Sequence, residues 1–135
     1  MKNLVLPLLL LLNSFLFIAQ DKNEWQALAK KTVSYKADKD VINLLGNKRN
    51  LKKIKIKCNQ GSIKLKKIIF YYDASEKTEH KPKGSGILSK GMSSVPIKVT
   101  KKKPVKKVEI QYEAYGNILL TKIAKVEVLG LINND

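Results

Sequence analysis

After residue 30 one pattern dominates the chain: apolar side chains at every second position, with mostly charged residues between them. Ile54, Ile56 and Cys58 share one parity, and Lys53, Lys55 and Lys57 share the other. Val95, Ile97 and Val99 alternate with Pro96 and Lys98. Val108, Ile110 and Tyr112 alternate with Lys107, Glu109, Gln111 and Glu113, and Ala124, Val126 and Val128 with Lys125 and Glu127. A period of two puts successive side chains on opposite faces of an extended strand. Strands with one apolar and one wet face belong to antiparallel sheets.

Residues 63–72 break the pattern in an informative way. Ile63 and Leu65 alternate with Lys64 and Lys66, and the parity then slips at Lys66-Lys67 before the apolar run IIFYY. A bulge or break at the slip explains it, and residues 68–72 then read as a central strand covered on both sides. Turn residues fall between the runs: Gly46-Asn47, Asn59-Gln60-Gly61, Gly91 and Gly116-Asn117. Residues 73–86, with Pro82, Gly84 and Gly86, read as a polar loop. Helical signals are scarce, and only residues 24–31 admit a helical turn. Seven to nine short strands in a chain this long predict an all-β protein, a single antiparallel β-sandwich of Greek-key or jelly-roll type.

The first twenty residues are of another kind. Lys2 precedes a nearly unbroken apolar run over residues 4–19, and Asp21, Lys22 and Glu24 follow at once. This order is that of a cleaved secretory signal, with the cut after Ala19 or Gln20. The run is also short for a span, and Pro7 and Asn13 interrupt it. The expected organisation is therefore a signal over residues 1–20 and one domain over residues 21–135. The expected location is the periplasm, the cell surface or the medium, with no membrane span after cleavage. Cys58 is the single cysteine, so no internal disulfide can form, and its parity assigns it to the core.

Six segments carry a resemblance to known proteins: residues 25–28 (WQAL), 33–42 (VSYKADKDVI), 51–58 (LKKIKIKC), 63–72 (IKLKKIIFYY), 105–112 (VKKVEIQY) and 124–130 (AKVEVLG). Together they resemble the secreted β-sandwich domains of unknown function found in Bacteroidetes, and more distantly the periplasmic YaaI-type family. The resemblance implies an exported β-sandwich and supplies no activity, so there are no catalytic residues to carry over.

Charge is the strongest functional signal. The chain has 27 Lys+Arg against 11 Asp+Glu, a formal net charge of +16. Lys53, Lys55 and Lys57 project from one strand face, and Lys64 and Lys66 from the next strand of the chain. Lys101, Lys102, Lys103, Lys106 and Lys107 crowd around Pro104. Such clusters attract polyanions: anionic glycans, lipopolysaccharide, nucleic acid or anionic lipid heads. The competing reading is a solvated face that keeps the protein soluble and its sheet edges unpaired. Aromatic residues do not interleave with the lysines as base-stacking platforms would, so specific nucleic-acid readout is not expected.

The remaining candidates are thin. Asp38 and Asp40 could hold calcium with further oxygen ligands, but Lys39 lies between them, and an Asp-rich turn fits as well. Glu76, Glu79 and His80 could make a weak surface metal site on the polar loop. Most of Trp25, Tyr35, Tyr71, Tyr72, Tyr112 and Tyr115 should pack in the core or at sheet edges, with Tyr71 and Tyr115 the ones placed for exposure. No nucleophile–base or metal constellation is legible, so no enzyme and no cofactor is expected. The leading expectation is a non-catalytic binding module for anionic polymers or surfaces. The alternative is a protein-interaction or structural component of a cell-envelope assembly.

Overall fold

The computed structural model describes residues 24–44, 46, 50–115 and 123–133. The signal expected over residues 1–20 and the turn expected at Gly116-Asn117 lie outside the described residues. Nine strands form two antiparallel sheets packed face to face. The first sheet runs in the order β1 (Trp25–Ser34), β9 (Ile123–Ile132), β3 (Leu51–Gln60) and β7 (Ile97–Lys98). The second runs β2 (Lys39–Asn43), β8 (Lys107–Ala114), β4 (Ile63–Tyr71) and β5 (Lys77–His80), and β6 (Ile87–Leu88) also pairs with β4.

The alternation decides what fills the space between the sheets. From the first sheet come Ile54, Ile56, Cys58, Ala124, Val126 and Val128, and from the second Ile68, Phe70, Val108, Ile110 and Tyr112, all in one buried cluster. Among the described residues no polar or charged side chain is buried. The Cys58 thiol sits in this core and donates toward the Gln60 and Gly61 carbonyls, at 3.3 Å each.

The slip in β4 is a bulge. Its register against β8 shifts between Leu65 and Lys67, leaving Lys66 as the extra residue. Ile68 and Phe70 then reach the core, while Ile69 is buried outside it, on the other side of the sheet. β4 is thus central in its sheet, but on its outer face only Ile69 is buried, and Lys67 and Tyr71 beside it are partly exposed.

The helical turn that residues 24–31 admit is not formed, and residues 25–31 lie in β1. A bulge between Ala27 and Ala29 lets Leu28 turn inward, into room left by Gly130. The polar loop over residues 73–86 contains β5, whose alternation of Lys77 and Glu79 with Thr78 and His80 carries no aliphatic signal. Val95 departs from the inward parity of Val99 and is 49% exposed.

The connection between β3 and β4 bears on function. β3 and β4 are joined by a tight turn but do not pair with each other: the turn passes the chain from one sheet to the other. Gly61 takes a φ of +78° there, a region that costs glycine little and other residues more. Tyr35 closes the corner, its hydroxyl accepting the Ser62 N–H at 3.0 Å. Lys53, Lys55 and Lys57 therefore face outward from the first sheet, and Lys64 and Lys66 lie on the outer side of the second.

Candidate functional site

The strands of the two sheets differ in charge, and of their charged residues Lys31 and Asp40 share the core-facing parity of Val33 and Ile42. The strands of the first sheet carry eight lysines (Lys30, Lys31, Lys52, Lys53, Lys55, Lys57, Lys98 and Lys125) and a single carboxylate, Glu127. The strands of the second carry six lysines and four carboxylates, Asp40, Glu79, Glu109 and Glu113. The first face is a one-sign field and the second a mosaic.

Cross-strand registers set out the first face row by row. At one end Trp25, Leu131, Lys53 and Lys98 lie side by side across the four strands. The next row is Ala27, Leu129 and Lys55, and the next Lys30, Glu127 and Lys57. Lys125 follows beside Thr32. Alternate residues of a strand are about 7 Å apart, so β3 presents a lysine at each such step. Glu127 does little to offset this. Its side chain is only 14% exposed, and it is shared between Lys30, at 3.9 Å, and the Asn59 amide, at 3.3 Å. Lys30, Lys31, Lys57 and Lys125 line an open groove of about 550 Å³ around that one carboxylate.

On the second face four of the lysines are paired. Lys64 and Lys66 both reach Glu113, at 3.9 and 3.1 Å, and Lys67 and Lys77 both reach Glu79, at 3.8 and 3.9 Å. Glu109 accepts the Tyr71 hydroxyl at 3.3 Å and the Gln111 amide at 3.0 Å. Burial and this neighbouring carboxylate push the Tyr71 phenol up. A groove of about 460 Å³ beside them opposes Lys106 and Lys107 with Asp73 and Glu109.

The loop lysines divide in the same way. Lys101 and Lys103 each contact Glu76 at 2.7 Å. Those two ammonium groups hold the Glu76 carboxyl below its ordinary range, and Glu76 in turn raises Lys103. Asp73 accepts the Ser75 and Glu76 amides, which hold its own carboxyl low and fix the turn. Lys102 and Lys106 have no carboxylate within ion-pair distance among the described residues.

Of the ten lysines expected to bind polyanions, Lys53, Lys55 and Lys57 thus stand together on a face with almost no opposing charge. Lys64, Lys66, Lys101 and Lys103 are paired, and Lys107 belongs to the mixed groove. Lys30, Lys98 and Lys125 complete the first face and were not singled out from sequence. They come from three strands far apart in the chain, and only the order β1-β9-β3-β7 brings them beside Lys53, Lys55 and Lys57.

The acidic candidates have structural occupations. Tyr112 donates its buried hydroxyl to Asp40 Oδ2 at 2.7 Å and lies 3.0 Å from the Ser34 carbonyl, which ties β2 to the end of β1. Burial and then Asp40 raise the Tyr112 phenol far above its usual value. His80 is half-buried in β5 rather than on a solvated loop. It packs on the Phe70 ring at 4.6 Å and shares a 2.9 Å hydrogen bond with Thr78, and burial lowers its pKa. Glu76 and Glu79 turn to different lysines. Among the described residues no group of three or more His, Cys, Asp or Glu side chains could hold a metal ion. Tyr71 is on the outer face and Tyr115 is 45% exposed, but they sit at opposite ends of the second sheet, about 25 Å apart along the strands.

A family model described as a domain of unknown function (DUF2541) matches residues 4–130. No curated protein and no solved structure matches the chain.

Proposed function

As the chain belongs to the DUF2541 family, a domain of unknown function, we propose a function from the surface chemistry of the fold. The protein is a non-catalytic binding module for anionic polymers or surfaces, and the outer face of the first sheet makes the contact. The observation that carries this reading is the lopsided charge of that sheet, eight lysines against one largely covered glutamate. A face serving solubility alone gains nothing from excluding carboxylates, and the outer face of the second sheet keeps three, Glu79, Glu109 and Glu113. The order of Lys2, the apolar run and the charged residues after it supports export, so the proposed ligands are those of the envelope or the medium.

Retention on immobilised heparin or polyphosphate at low salt tests the reading. The Lys53→Gln/Lys55→Gln/Lys57→Gln variant should elute earlier, and the slope of log affinity against log salt should fall by about two to three. The Lys101→Gln/Lys103→Gln variant should elute close to the parent, because Glu76 already neutralises part of that pair. Elution of the parent in the void at low salt would sink the proposal.

A further inference from the structure

The row of Trp25, Leu131 and Lys53 and the row of Ala27, Leu129 and Lys55 hold something that polyanion binding does not use. Trp25, Leu129 and Leu131 are partly exposed, yet they belong neither to the core nor to the apolar side chains packed against it. They form an apolar strip on the outer face. Lys55 lies on β3, and β9 separates β3 from β1. Its ammonium nevertheless sits 4.3 Å from the centroid of the Trp25 ring, so its methylene stem crosses the strip. One face of the indole is thereby taken by the Lys55 ammonium. Lys53 and Lys98 flank the same strip, and neither row contains a carboxylate. Across the sheet Met92 and Val95, 48% and 49% exposed, lie in the segment running along the β3 edge beside Lys57.

A soluble polyanion engages the lysines and leaves the strip in water. A bilayer surface uses both, because anionic headgroups pair with lysine while tryptophan and leucine enter the boundary between headgroups and acyl chains. We propose that the outer face of the first sheet docks on the surface of an anionic phospholipid bilayer. Trp25, Leu129 and Leu131 enter the headgroup region, and Lys53, Lys55 and Lys98 hold lipid phosphates. The contact is peripheral: among the described residues no helix is long and apolar enough to cross a membrane. The inference rests on the binding reading above and narrows its partner.

Trp25 is the only tryptophan of the chain, so its emission reports from the proposed contact. All nine strands and every core side chain lie within residues 24–133, so a chain of residues 21–135 contains the whole described fold and omits the apolar run. That chain is mixed with vesicles of phosphatidylcholine alone, or of phosphatidylcholine with an equal part of phosphatidylglycerol. The expected result is co-sedimentation with the anionic vesicles only, a blue shift of Trp25 emission, and quenching by lipids brominated in the acyl chain. Leu131→Gln should weaken vesicle binding about tenfold, the scale of one leucine transfer, and leave heparin elution unchanged. Retention on heparin without vesicle binding, or vesicle binding without bromolipid quenching, overturns the bilayer inference and leaves the broader reading standing. Failure on both heparin and vesicles overturns both.

Discussion

Tyr112 and Gly130 show how much of this fold is decided by single atoms. The Tyr112 hydroxyl serves Asp40 and the Ser34 carbonyl and so links the second sheet to the first. Replacing Tyr112 with Phe keeps the packing and leaves those acceptors without their donor. Unfolding in denaturant should show a loss of about 1–3 kcal/mol. Gly130 faces the core, where an added Cβ would lie 2.7 Å from Leu28 Cδ1 and 3.1 Å from Leu51 Cδ2. Gly130→Ala should cost about 1–3 kcal/mol by overpacking, and Leu28→Ala in the same chain should recover part of it. His80 sets a pH dependence of defined sign. Its native pKa is lowered by burial, so the folded protein holds fewer protons than the unfolded chain as the pH falls. Its contribution is complete above about pH 6.5 and is lost as the pH drops through the native value. The melting temperature should fall over that interval in the parent and stay flatter in His80→Gln. Loss of the carboxylate contacts of Asp73 and Glu76 belongs to a lower window, below about pH 4.5.

At the scale of elements, sequence reading is reliable where a strand buries aliphatic side chains and fails where it does not. β3, β8 and β9 are plain in their alternation, and the bulge in β4 is foretold by the slip at Lys66-Lys67. β5 buries Thr78 and His80 only in part and has no hydrophobic signature. β1 hides because the bulge at Leu28 breaks its period, with Ala27 exposed and Leu28 and Ala29 both against the core. The candidate site was half legible. The parity of Lys53, Lys55 and Lys57 gave their shared face, while the pairing of Lys101 and Lys103 with Glu76 depends on a contact between distant loops. Pairing also ranks the elements by stability. β9 and β3 have partners on both sides, as do β8 and β4, whereas β6 and β7 are two residues long. Native-state hydrogen exchange should find the slowest amides in β3, β4, β8 and β9, and near-unprotected ones in β6 and β7.

For the whole molecule, the two sheets divide the labour that one sheet often performs on its two faces. Both contribute their inner faces to a common core, and their outer faces then differ in chemistry without further cost to folding. One is nearly pure lysine with an apolar strip, and the other is a neutralised mosaic. Surface ion pairs of the second kind add at most about 1 kcal/mol each, so their main effect is on the field rather than on stability. A protein charged in this way should approach an anionic surface with one preferred side. Its association rate, more than its dissociation rate, should fall steeply with added salt. Stopped-flow mixing with anionic vesicles at stepped ionic strength measures both.

The position of β9 carries a consequence for the order in which this protein can assemble. Among the described residues β1 is the first strand and pairs in its own sheet only with β9, the last of them. β3 also depends on β9 for its full-length partner, since β7 offers it only two residues. β1 therefore has no ladder to join in its sheet until β9, about a hundred residues further along the chain, is in place. Contacts of such long sequence separation also make for slow folding. Among the described strands, the ladder of the first sheet is complete only when β9 has taken its place between β1 and β3, so that ten-residue strand is the clasp of the sheet.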